Sequence, residues 1–161
     1  MRRILWATSL FRGEIVESRL SLREQMAALY ETWHAIYGLF QQIIHAEGLS
    51  DCGFMVLDAI YHTPENCTQK RISEQARLPK QAVNAVIKRF LTQGYLEMEE
   101  FAEDRRNKAI RLTVSGQAYA EKVMTRLTNA DEHAMGQLDY AQRQMLLEIS
   151  KTIEKGLRES L

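Results

Sequence analysis

Between Thr68 and Thr113 the hydrophobic period of the chain switches from that of a helix to that of a strand, and this switch constrains the fold more than any other feature. From Pro79 to Gln93, Val83, Val86, Ile87, Phe90 and Leu91 recur at the i, i+3, i+4, i+7 and i+8 spacing of one helical face. The opposite face carries Lys80, Gln81, Asn84 and Lys88, with Arg89 at its edge and no carboxylate. Gly94 stands where a helix closes on a left-handed residue. Beyond it Met98 alternates with Glu97 and Glu99, and Ile110 and Leu112 flank Arg111, the pattern of half-buried strands. Arms from Leu96 to Phe101 and from Ala109 to Leu112 then enclose a tip, Glu103-Asp-Arg-Arg-Asn107, that is too polar for a core.

Upstream, Thr68 can cap a short helix with Ile72 and Ala76 turned inward, and only Arg77-Leu78-Pro79 separates it from the next helix. Two helices joined so tightly, the second with a polar outer face, make a helix-turn-helix, and a hairpin directly behind it is a wing. Charge is distributed to match. The whole chain balances 21 basic against 21 acidic residues, which argues against a nonspecific polycation. From Thr68 to Thr92, however, Lys70, Arg71, Arg77, Lys80, Lys88 and Arg89 face the single acid Glu74. The expectation is a local positive surface on a neutral body, suited to a polyanion.

The flanking segments are helical and too apolar for the winged unit alone to cover. Ser21-Leu-Arg-Glu24 is a capping box that starts a helix carrying Met26, Leu29, Trp33, Ile36, Tyr37, Phe40, Ile43 and Ile44 to about Ala46, with Gly48 as the stop. Such a helix, about 39 Å long, outreaches a small lobe, so part of its stripe should meet a second subunit. Ser50 or Asp51 caps the next helix, with Phe54, Leu57, Ile60 and Tyr61 at core spacing and Pro64 at its exit. After the wing, Thr113-Val-Ser-Gly116 starts a helix bearing Val114, Ala118, Val123, Met124 and Leu127 to about Ala130. Asp139 with Gln142 starts a last one bearing Leu146, Ile149, Ile153 and Leu157. The fold class is mainly α with a small β-hairpin wing. The expected division is an N-terminal arm over 1–20, a dimerisation helix over 21–50, a winged helix-turn-helix lobe over 51–113 and C-terminal dimerisation helices over 114–161.

Other chemistry finds little support. Cys52 and Cys67 follow no metal or disulfide spacing and read as reduced thiols. The apolar run Ile4 to Phe11 is far too short to span a membrane and is followed by no small-residue cleavage site, so a cytoplasmic protein without membrane attachment is expected. His34, His45 and Glu47 lack the pairing of a metal site. No phosphate-binding glycine loop, paired-carboxylate spacing or His/Asp companion motif is present, so the chain is read as neither an enzyme nor a cofactor carrier.

The run from Leu78 to Leu96, the wing Asp104-Arg-Arg106 and Leu112-Thr-Val-Ser-Gly116 together resemble the winged-helix regulators of the multiple antibiotic resistance regulator (MarR) family. The resemblance is sharp over 68–116 and extends as a helix layout over 21–160. It implies a homodimer, more often a repressor, that sets two lobes on one pseudo-palindromic double-stranded DNA site and responds to a small-molecule effector. Lys80, Gln81, Asn84 and Lys88 match the part of the recognition helix that enters the major groove. Arg106 matches a wing arginine in the minor groove, and Asp104 the acid that orients it. Amides such as Gln81 and Asn84 can bond adenine in bidentate fashion, whereas Lys70, Arg71, Arg89, Arg105 and Lys108 would hold phosphate. Family members that sense small aromatic ligands point to Trp33, His34, Tyr37, Phe40 and Tyr61 as a candidate lining, with Gln41 beside them. Two departures stand out: Pro79 replaces the usual capping residue, and Glu97, Glu99, Glu100 and Glu103 make the wing acidic. Two alternatives remain open at this point, a protein-binding winged-helix adaptor and an oxidation-sensing regulator that uses Cys52 or Cys67.

Overall fold

A computed structural model of the chain describes residues 20–63, 67–100 and 108–161. Its elements in order are α1 (Leu22–Ala46), α2 (Asp51–Tyr61), α3 (Gln69–Ala76), α4 (Lys80–Thr92), β1 (Leu96–Glu100), β2 (Lys108–Leu112), α5 (Val114–Gly136) and α6 (Tyr140–Glu159). The chain divides into two compact units, Met1–Tyr37 and Gly38–Leu161.

In the first unit the described residues begin at the capping box. The Glu24 carboxylate accepts from the Ser21 backbone N–H at 2.8 Å, while Ser21 Oγ accepts from the Glu24 N–H at 3.4 Å. Bonding to Ser21 also holds the Glu24 carboxyl below its usual range. Met26, Leu29, Tyr30, Trp33, Ile36 and Tyr37 are all exposed, and Tyr30 meets Trp33 edge-on at 5.7 Å.

The second unit holds the core. Val56, Leu57 and Ile60 of α2, Ile72 of α3, Val83, Ile87 and Phe90 of α4, Ile110 of β2, and Ala120 and Val123 of α5 are all essentially inaccessible to solvent. The helix starts follow the expected caps: Ser50 Oγ accepts from Gly53 N–H, Thr68 Oγ from Arg71 N–H, and Asp139 and Gln142 close a full capping box. The hairpin is antiparallel, with Leu96 opposite Leu112 and Met98 opposite Ile110, and Ile110 N–H also donates to Cys67 O at 2.8 Å.

The described arms of the hairpin are Leu96–Glu100 and Lys108–Leu112, and Phe101 lies outside the described residues. Two expectations are corrected. The fifth helix continues to Gly136 rather than stopping near Ala130. Val114 is 90% exposed and Ala118 is also outside, because Gly116, Ala120, Val123 and Leu127 form the inward row. That phase is imposed by Gly116, which packs directly on the backbone of Tyr95. α6 buries none of its residues, and Met145, Leu146, Leu147, Ile149 and Leu157 lie exposed along it.

Candidate nucleic-acid interface

The turn that aims α4 is built from side chains on both sides of it. Arg77 ends α3 in the left-handed region (φ 52°, ψ 37°), a conformation that costs a non-glycine residue about 1 kcal/mol. Its N–H and that of Leu78 both donate to Ser73 O, while Ser73 Oγ donates back to Leu78 O at 2.6 Å. Pro79 stands at the N-cap of α4 with no side-chain cap (φ −59°, ψ 141°), so proline leaves the helix regular, and its carbonyl accepts from Val83 N–H. Across the turn Gln69 Nε2 donates to Lys80 O at 3.3 Å.

With Val83, Val86, Ile87 and Phe90 buried, the helix turns Lys80, Gln81 and Lys88 fully outward and leaves Asn84 half-exposed between them. No acid lies in the first turn. Four of the expected contact residues therefore share one surface. Arg89 does not join them: its guanidinium stacks on the Phe90 ring at 5.4 Å and lies against Gly53 at the start of α2. Lys70 is exposed on α3 within 3.9 Å of Glu74, a loose i, i+4 pair that leaves its charge available. Lys108 is exposed at the start of β2, and Glu99 of the acidic wing base is neutralised by Arg111 at 3.3 Å. Asp104, Arg105 and Arg106 lie outside the described residues.

The candidate ligand residues fall in both units. Trp33, His34 and Tyr37 are exposed on the first part of α1, whereas Phe40 and Tyr61 are partly buried against the core of the second unit. Sequence reasoning did not anticipate an open cavity of about 380 Å³ between α2 and α3, lined by Phe54, Met55, Asp58, Ala59, His62, Gln75 and Ala76. Cys67 is fully buried, and burial pushes its thiol up, which disfavours the thiolate an oxidation sensor needs. Cys52 is half-buried in the first turn of α2. Among the described residues no helix is long and apolar enough to cross a membrane.

Residues 48–107, from just before α2 to just before β2, match the sequence model of the MarR family. That segment carries a MarR-family domain. Solved structures agree over most of the chain's length. The MarR family regulator NMB1585 from Neisseria meningitidis is 28% identical, with 85% of this chain and 99% of that one covered at a TM-score of 0.62. BpsR from Bordetella bronchiseptica is 23% identical over 81% of this chain and 99% of its own, at 0.62. A mutant of S. aureus MepR is 17% identical over 84% and 98%, at 0.70. No protein with a curated function matched the chain. The MarR winged-helix fold expected from the recognition helix, wing and Leu-Thr-x-x-Gly start is thus present.

Proposed function

We propose that this MarR-family protein is a homodimeric, sequence-specific DNA-binding repressor that occupies a pseudo-palindromic duplex site and leaves it when a small aromatic effector binds. The observation that carries the reading is the outer face of α4, where Lys80, Gln81, Asn84 and Lys88 share one accessible surface with no carboxylate among them. Gln81 and Asn84 are placed to read base edges, Lys80 and Lys88 to read guanine or hold phosphate, and Lys70 and Lys108 to fix register. In the wing, Arg106 would enter the minor groove, Asp104 orient its basic neighbours and Arg105 hold phosphate. α6, which buries nothing within the protomer, and the exposed stripe of α1 supply the apolar surface of the dimer. In this arrangement 21–50 and 114–161 dimerise, 51–113 binds DNA and 1–20 forms an arm.

An aromatic effector suits Trp33 and Tyr37, one turn apart on α1 with His34 beside them. DNA binding by BpsR is regulated by 6-hydroxynicotinic acid, a ligand of this chemical class. The test is selection of duplexes from a random library, followed by sizing of the complex and titration with hydroxylated aromatic acids. A selected inverted repeat bound by two protomers, and released by one of these acids, is the expected result. Recovery of no sequence above background would overturn the DNA-binding reading and favour an adaptor that binds protein.

A further inference from the structure

The recognition helix is held at its far end by a chain of contacts that reaches back to the corner between α1 and α2. Gly94 closes α4 in the left-handed region (φ 71°), and Tyr95 N–H returns to Phe90 O at 2.9 Å. Two hydroxyls at the start of α5 grip that closure: Thr113 Oγ1 donates to Gly94 O at 2.6 Å and Ser115 Oγ at 3.0 Å. Thr113 N–H donates to Tyr95 O at 3.0 Å. The Tyr95 ring then stacks on Tyr119 of α5, with centroids 4.6 Å apart and planes 13° from parallel. Tyr119 Oη donates to the backbone carbonyl of Glu47 at 2.8 Å. Burial, then the neighbouring Tyr95, push that phenol up, so it remains a donor.

Glu47 sits just past the end of α1, and its side chain is only 5% exposed. Lys122 Nζ lies 2.7 Å from one carboxylate oxygen and the Arg126 guanidinium bonds the other, both from α5. A carboxylate that bridges two cations one turn apart on α5 is a geometric clamp: both cations are half or more exposed, so its effect lies in fixing where the helix sits rather than in buried charge. α5 is therefore a strut, fixed at its start to the close of α4 and along its middle to the α1–α2 corner.

We propose that Glu47 is a positioning residue for DNA binding: clamped by Lys122 and Arg126, it sets α5, and through the Tyr119–Tyr95 stack the recognition helix, at the angle that fits two half-sites. The inference rests on the DNA-binding reading above and assigns that surface a residue that never touches the duplex. Two recognition helices must reach successive major grooves roughly 34 Å apart, so a small tilt of each helix is felt as a change in spacing. Mutations in such connecting contacts alter coupling by about threefold to thirtyfold in affinity.

The test uses the full chain and duplexes selected by the wild type from a random library, then rebuilt with the two half-sites one or two base pairs closer or further apart. Glu47→Gln and Tyr119→Phe should bind the selected duplex about threefold to tenfold more weakly and discriminate less among spacings, at temperatures well below their melting points. The charge-swapped triple variant, Glu47→Lys with Lys122→Glu and Arg126→Glu, should recover the wild-type spacing preference. Variants that lose thermal stability yet keep the wild-type affinity and spacing profile would show Glu47 to be only a structural ion pair and overturn the inference alone. A wild type that selects no duplex would overturn the DNA-binding reading itself, and with it the positioning role.

Discussion

Replacing Gly116 by alanine tests the geometry that joins the recognition helix to α5. A Cβ built at this position overlaps the Tyr95 carbonyl oxygen outright and lies 2.8 Å from its carbon and 3.1 Å from its Cα. The obstacle is backbone, which cannot swing aside as a side-chain tip does. α5 must therefore lift away from Tyr95, and the first contacts to stretch are the Thr113 N–H bond to Tyr95 O and the Thr113 and Ser115 hydroxyl bonds to Gly94 O. Overpacking costs about 1 to 3 kcal/mol, and each hydrogen bond lost adds about 1. Against this, alanine in place of glycine favours the helix by about 1 kcal/mol. The net expectation is destabilisation by about 2 kcal/mol or more. Urea unfolding followed by circular dichroism, at one fixed protein concentration because self-association would shift the midpoint, measures it. Gly136→Ala, at the end of the same helix with nothing within 4 Å of the added methyl, serves as the control and should be neutral or stabilising by up to about 1 kcal/mol. If Gly116→Ala proves as stable as the wild type, the close approach of α5 to Tyr95 is wrong.

Further outcomes follow from the same geometry. Gln81→Ala and Asn84→Ala should each weaken binding to a selected duplex by about 1 to 3 kcal/mol per half-site with the salt slope unchanged, whereas Lys88→Ala should shallow the slope by roughly two ions, one per protomer; equal slopes for all three would contradict these roles. Glu47 has its carboxyl held below the usual range by Lys122 first and then Arg126, so its contribution to stability is present above the ordinary carboxylate value and is lost as pH falls through the lowered one. The gap in melting temperature between wild type and Glu47→Gln should accordingly be widest near neutrality and close in acid, and a gap that widens in acid would reverse the sign. Thiol titration of the native protein should modify Cys52 well before Cys67, whose buried thiol should react only on unfolding; equal rates would place Cys67 nearer the surface.

The winged unit was legible in the sequence because its signals are local and mutually consistent. The spacing of Val83, Val86, Ile87 and Phe90 fixes which side of α4 is buried, and thereby which side presents Lys80, Gln81, Asn84 and Lys88. Ser50, Thr68 and Asp139 act as caps through bonds spanning three residues, which pattern alone can indicate. The start of the inward face of α5 was misjudged because its phase is set at a distance: Val114 and Ala118 fit a helical stripe, but the approach of Gly116 to Tyr95 turns Gly116 and Ala120 inward beside the expected Val123 and Leu127. The Leu-Thr-x-x-Gly start carried that information, since a glycine three residues past a capping threonine has no helical reason to be there. Glu47 gave no signal at all. Its partners lie more than seventy residues away, and an acid beside a helix-ending glycine reads as solvated surface. The neighbours of Arg89 were hidden for a related reason: from its exposed place at the edge of α4 it meets the Phe90 ring and the backbone at Gly53.

Net neutrality and a DNA-binding face are compatible because screening makes electrostatics local. At physiological salt, charges separated by more than about 8 Å along an exposed surface scarcely interact. A duplex against the outer face of α4 would therefore respond first to Lys80 and Lys88, the charges exposed on that face. The wing is the place where acids approach such a duplex, and there Arg111 is paired with Glu99. A neutral body also lacks the long-range attraction that holds a polycation on any DNA, so most discrimination must come from contacts made at close range. In the proposed complex the burden of specificity would fall on Gln81 and Asn84 and on how accurately α4 is aimed. Aim is held by the Ser73–Leu78 turn at one end of the helix and by the Gly94–Thr113 closure at the other, hydroxyl-to-carbonyl bonds that the Glu47 clamp on α5 supports. Raised salt should accordingly weaken binding to selected and unrelated duplexes alike while leaving their ratio nearly constant.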